Sequence, residues 1–110
     1  MLVHEGTSLE KLKNKVVVHV MFKDEKVTNL DEIKYLETIL EEKLHPYKNS
    51  ENNLKLKVTT QEGVNCFSIE FITTKPAHTP EEIEEIVEEF ENKIEEEYIP
   101  LYNGVRTSMG

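Results

Sequence analysis

The chain has 110 residues, of which 37% are hydrophobic and 32% charged, with 22 acidic side chains against 13 basic ones and a net charge of −9. That length supports one domain with a single modest core, and the acidic balance argues against direct binding to nucleic acid or an anionic membrane, since phosphate contacts need clustered Lys or Arg. No apolar run approaches the roughly 20 residues of a membrane span, and the single cysteine, Cys66, excludes an internal disulfide and a multi-cysteine metal site, which points to a reducing, cytoplasmic setting.

Residues 1–14 (MLVHEGTSLEKLKN) are weakly patterned and contain no signal-peptide apolar core. Thr7 or Ser8 can cap a helix of one or two turns through Leu12, with Glu10 completing a Thr-x-x-Glu capping box. Lys15 to Phe22 (KVVVHVMF) predicts a strand rich in β-branched residues. Val16, Val18, Val20 and Phe22 share one face; Val17, His19 and Met21 share the other. Both faces are apolar enough to place this strand inside the sheet rather than at its edge.

After a polar turn, Asn29 caps a second helix that runs to about Lys43 or His45, with Glu32 as capping-box partner. Leu30, Ile33, Leu36, Leu40 and Leu44 form its buried stripe, flanked by Ile39, and Pro46 ends it. Residues 48–53 are a loop by composition. Leu54–Thr60 and Val64–Thr73 predict a hairpin turning at Glu62-Gly63, with paired residue numbers summing to 125. Val58 then faces Phe67, Leu56 faces Ile69 and Leu54 faces Phe71, all on one side. Lys57 faces Ser68 and Lys55 faces Glu70 on the other. A slip of one residue would destroy both sets.

Thr79 to Tyr98 (TPEEIEEIVEEFENKIEEEY) is the most strongly specified segment. Thr79 is the N-cap, Pro80 the first helical residue, and Glu82 closes a capping box by reaching back to the Thr79 amide. Ile83, Ile86, Val87, Phe90, Ile94 and Tyr98 make one apolar stripe, and Pro100 is expected to stop the helix. Residues 79–97 hold ten Glu and one Lys, so this segment has the charge of the whole chain and the remainder is neutral. Ten charges over about 28 Å of helix is one per roughly 2.8 Å, in the range of a nucleic-acid backbone. Helix stability does not explain the choice: Glu81–Glu85, Glu84–Glu88, Glu85–Glu89 and Glu91–Glu95 are repulsive pairs four residues apart, and Glu95, Glu96 and Glu97 sit at the negative end of the helix dipole.

Residues 99–110 turn at Asn103-Gly104, and Val105, Thr107 and Met109 can form a short edge strand. The resulting fold class is α+β: a ferredoxin-like two-layer sandwich with both helices on one face of an antiparallel sheet, in the order β-α-β-β-α without that short C-terminal strand and β-α-β-β-α-β with it as the sixth element.

Chemistry-bearing motifs are sparse. The four histidines are not at metal-ligand spacing, there is no glycine-rich phosphate loop and no Gly-x-Ser-x-Gly elbow, and no cofactor or metal is expected. His19 and Cys66 point to the sheet face away from the core and are candidates for near neighbours; a Cys–His pair would activate a thiolate, although a lone cysteine more often acts as a small hydrophobe. The same face carries Val17, His19, Met21, Cys66 and Ser68 and is the candidate for a two-fold homodimer contact. It has none of the stacking aromatics of an RNA-binding sheet. The main expectation is protein–protein interaction. Glu81, Glu84, Glu85, Glu88, Glu91 and Glu95 face away from the apolar stripe and would dock a basic protein, naturally a nucleic-acid-binding one, so that this acidic protein acts as a nucleic-acid mimic and competitive inhibitor. The alternative is a ferredoxin-like homodimeric regulatory or ligand-binding domain without mimicry.

Overall fold

The computed structural model describes residues 1–109. Four antiparallel strands, β1 (Val3–Lys11), β2 (Lys15–Asp24), β3 (Asn52–Gln61) and β4 (Val64–Pro76), form one sheet in the order β1-β2-β4-β3. Helix α1 (Leu30–Leu44) links β2 to β3, α2 (Pro80–Lys93) follows β4, and α3 (Ile99–Ser108) ends the described chain.

β2 forms as its alternation requires. Val16, Val18, Val20 and Phe22 are buried, while Val17, His19 and Met21 are half-buried on the opposite face. The strand lies between β1 and β4, so both of its edges are paired. The β3–β4 hairpin has the expected register throughout, Val58 with Phe67, Leu56 with Ile69 and Leu54 with Phe71. Glu62 and Gly63 both take positive φ, 52° and 78°, the left-handed pair of a tight hairpin turn. Glu70 sits opposite Lys55 but takes its ion pair from Lys57, one diagonal step away, at 3.1 Å.

Two expectations fail at the chain ends, and they fail together. Residues 3–11 are a strand, not a helix. Leu12 donates its N–H to the Lys15 carbonyl at 2.9 Å, which closes a tight turn over Lys13-Asn14 and folds β1 back onto β2. Thr7 does not cap; its hydroxyl pairs with His4 Nε2 at 3.0 Å. The C-terminal segment is a helix, not a strand. The edge beside β2 therefore belongs to the N-terminal hairpin, and the β-α-β-β-α-β order is replaced by β-β-α-β-β-α-α.

Pro100 does not stop the acidic helix either. Residues Ile94–Tyr98 form a π-helical turn that carries α2 into α3, with the Ile99 N–H bonded to the Ile94 carbonyl five residues back. An α-helical proline would press its ring on the carbonyl four residues earlier; the widened turn relieves that collision. The apolar stripe then continues through Tyr102 and Val105, both buried.

One core joins these elements. Val16, Val18, Val20 and Phe22 from β2, Leu54 from β3 and Phe67, Ile69 and Phe71 from β4 cluster with Ile33, Leu36, Leu40 and Leu44 of α1 and with Phe90, Ile94, Tyr98, Tyr102 and Val105. Phe71 stacks on Tyr98 at 5.1 Å and meets Phe22 edge-on at 5.9 Å. Asn29 caps α1 by accepting from the amides of Asp31 and Glu32. The Glu32 carboxylate does not complete the capping box; Arg106 of α3 holds it at 2.8 Å. Leu30, expected in the buried stripe, is 50% exposed. Leu30→Ala should accordingly shift unfolding stability by no more than about 0.5 kcal/mol in urea titrations, against several times that for the fully buried Leu36.

Candidate functional site

The α2 helix is anchored at its start as predicted in part. Thr79 Oγ1 accepts from the Glu82 amide at 3.2 Å, but its hydroxyl also donates to the Glu82 carboxylate at 3.1 Å, so Glu82 does not reach the Thr79 amide. The apolar stripe of this helix is unevenly buried. Phe90, Ile94 and Tyr98 are buried, whereas Ile83, Ile86 and Val87 are only half-buried.

That uneven burial opens a groove of about 500 Å³ between α2 and the β1 side of the sheet. Its floor is apolar: Leu9 and Phe22 from the two strands, Ile83 and Val87 from the helix. His4 closes one side, its ring 5.2 Å from that of Phe22. Four carboxylates, Glu84, Glu88, Glu91 and Glu95, stand along the α2 wall. Of the six glutamates predicted to face a partner, these four line the groove, while Glu81 and Glu85 are exposed outside it.

The ion pairs of the molecule lie elsewhere. Among the described residues, no Lys, Arg or His pairs with any glutamate of α2 or the π turn. Lys48 pairs with Glu41, Lys57 with Glu70, Lys75 with Glu51 and Arg106 with Glu32 and Asp24. Lys23 lies between Glu5 at 2.6 Å and Glu25 at 3.1 Å, and those bonds raise its pKa to about 12. Lys93, the one base on α2, is directed at the Tyr98 ring, 5.9 Å from its centroid. The ridge keeps its charge unneutralised.

The opposite sheet face is polar at its centre. His19 Nδ1 donates to Glu70 Oε1 at 2.7 Å and Lys57 donates to Glu70 Oε2 at 3.1 Å. Partial burial pushes the Glu70 carboxyl up, but the two hydrogen bonds outweigh it and leave its pKa below the usual range. His19 and Cys66 are not neighbours. His19 pairs with Ile72, and Cys66 lies six residues further along β4, about 20 Å at strand spacing. Cys66 is buried, with Thr59 Oγ1 3.1 Å from its sulfur, and Ser68 is buried 2.9 Å from the same hydroxyl. Val17, His19 and Met21 remain half-buried on that face. Ser8 lies opposite His19 in register, but among the described residues no hydrogen bond joins them.

A third cluster is internal. Asp24, fully buried, accepts from the Tyr102 hydroxyl at 2.7 Å, the Met1 amine at 3.1 Å and the Lys26 amide at 3.1 Å, with Arg106 Nε at 3.6 Å. Burial raises its pKa, and the hydrogen bonds more than reverse that; burial and the Asp24 carboxylate together hold the Tyr102 hydroxyl far above its ordinary value. This knot ties the end of β2 to α3. None of the described grooves is lined by Asp24, Tyr102 or Arg106.

Sequence reasoning missed His4 and Leu9 as groove residues because it found residues 1–14 weakly patterned, with a helix of one or two turns from Thr7 or Ser8 through Leu12, and it placed Phe22 in the core alone. The usable signal was Lys13-Asn14, a turn pair immediately before an unambiguous strand. Comparison with protein-family models, with curated proteins and with solved structures gives no match to this chain. Among the described residues, no helix is long and apolar enough to cross a membrane and no group of His, Cys, Asp and Glu is placed to hold a metal ion.

Proposed function

We propose that this chain is a small acidic binding protein whose α2 ridge docks on a basic surface and thereby inhibits or regulates, by competition, a protein that otherwise binds nucleic acid. One observation carries the reading: the ten glutamates of a single helical run pair with no cation among the described residues, although Lys23, Lys48, Lys57, Lys75 and Arg106 each pair with an acid elsewhere in the chain. A run of like charge held on a rigid helix costs helix stability, and a cationic partner recovers that cost. The reading takes both helices to share one face of a ferredoxin-like two-layer sandwich, with β1 standing in for its last strand; the single core common to α1, α2 and β2 supports it. A two-fold dimer through Val17, His19 and Met21 is the second reading. Val17, Met21 and Ile72 stay half-exposed there, but the His19–Glu70–Lys57 bonds cross that face and break up its apolar area, which favours the ridge.

The test is capture of partners from lysate at low salt and again at high salt, with the wild-type chain and with Glu84→Lys/Glu88→Lys. Retention of basic, nucleic-acid-binding proteins at low salt and their release at high salt is the expected result. The double reversal moves the net charge from −9 to −5 and should weaken capture roughly 100-fold. Unchanged capture by the reversed variant overturns the proposal.

A further inference from the structure

The groove between α2 and β1 points to a more specific occupant than a basic surface in general. We propose that it receives a basic amphipathic helix of the partner, laid beside α2 over β1, with apolar side chains on Leu9, Phe22, Ile83 and Val87 and Lys or Arg side chains on Glu84, Glu88, Glu91 and Glu95. This rests on the docking reading above and narrows it to one structural class of ligand.

The helical layer is one helix short. α1 packs over β3 and β4 and α2 over β2. β1 has no helix above it: Leu9, which faces the helical side opposite Val18, is 43% exposed, and His4, Thr7 and Lys11 on the same side are exposed too. Helices in one layer sit about 8–10 Å apart and neighbouring strands about 4.8 Å, so a further helix beside α2 would cover β1 and overhang its outer edge. Ile83 and Val87, which a complete layer would bury, are left half-covered.

The carboxylates match that occupant in spacing. Residues 84, 88, 91 and 95 step by four, three and four, so they hold one line along the helix over about 16 Å, or three turns. A partner helix with bases repeating at the same steps meets all four while its apolar stripe turns down to the groove floor. An extended segment fits less well. It would add to the free edge of β1, in the plane of the sheet and about 4.8 Å outside that strand, away from the carboxylate wall. A second copy of this chain has no such helix to offer. It carries the same −9 charge, α1 holds five acids against two bases, and the one base of α3, Arg106, is already paired with Glu32 and Asp24.

The experiment compares two synthetic peptides of about four helical turns. One places Lys and Leu at helical spacing on adjacent faces. The other has the same composition scrambled so that no face forms. Binding is measured by calorimetry at 150 mM salt (a condition that suppresses long-range attraction), with amide chemical shifts followed in the full chain. The patterned peptide should bind at least about tenfold tighter than the scrambled one, shift Leu9, Phe22, Ile83 and Val87, and gain helicity. Leu9→Asn, at an exposed position, should remove most of that advantage while leaving the scrambled peptide unaffected. If both peptides bind equally, the groove proposal fails and the ridge reading survives. If neither binds, both fail. If shifts follow the β1 edge without Ile83 and Val87, the partner adds as a strand and the helix proposal is overturned.

Discussion

Phe71→Ala should cost about 3–5 kcal/mol of unfolding stability, the range for emptying a fully packed aromatic site. Phe71 is 1% exposed at the centre of β4, opposite Val20 on one side and Leu54 on the other. Its ring is the contact surface for Tyr98, stacked at 5.1 Å and 16°, and the π turn that carries Tyr98 is the joint between α2 and α3. The loss should therefore be unevenly distributed. Amide exchange should accelerate most in residues 94–108, because that segment loses its aromatic anchor while the strands keep their ladder. Urea unfolding with and without exchange measurement checks both parts. Val64→Ala, at an exposed position near the start of the same strand, is the control and should stay within about 0.5 kcal/mol.

Asp24→Ala should cost about 3 kcal/mol at neutral pH, near the lower end of the range for removing one partner of a buried charge cluster. The deletion leaves the buried Tyr102 hydroxyl without an acceptor, whereas Arg106 keeps Glu32. The pH dependence has a definite sign. The folded-state pKa of Asp24 lies below its ordinary value, so its contribution is complete above the unfolded value of about 3.9 and is lost as pH falls through the lower folded one. Stability curves of the wild type and of Asp24→Asn should therefore lie parallel above about pH 5 and converge as pH falls below about 4. Tyr102→Phe should cost roughly half as much as Asp24→Ala, since Asp24 retains its other donors.

The two clusters serve the proposed docking differently. Phe71 helps seat the acidic helix on the sheet, because Phe90, Ile94 and Tyr98 share its core. Asp24 fixes α3, which continues that helix beyond the π turn. Neither residue lines the groove, but Phe71 packs edge-on against Phe22 of its floor, so the Asp24 variants are the ones that separate the stability of the mount from the recognition surface it carries.

Much of this arrangement was determined by the chain's own pattern. Strict alternation gave β2 its two faces, and the β3–β4 register followed from one pairing rule because any slip would turn Phe67, Ile69 and Phe71 to the wrong side. The acidic helix was equally legible, since its cap, its stripe and its charges lie within a single run of sequence. The identity of the end segments was not. Residues 3–11 have too little periodicity to choose a state, and they become a strand because β2 offers an unpaired edge and Lys13-Asn14 allows the chain to turn onto it. Residues 99–108 contain Pro100 and Asn103-Gly104, local signals that argue against a helix, yet burial of Tyr102 and Val105 and the bond from Tyr102 to Asp24 outweigh them. The groove exists only through this exchange of places. Periodicity reports on a residue's neighbours in sequence, but which strand stands beside α2, and therefore what remains uncovered next to its glutamates, is set by competition between distant segments for the same sheet edge.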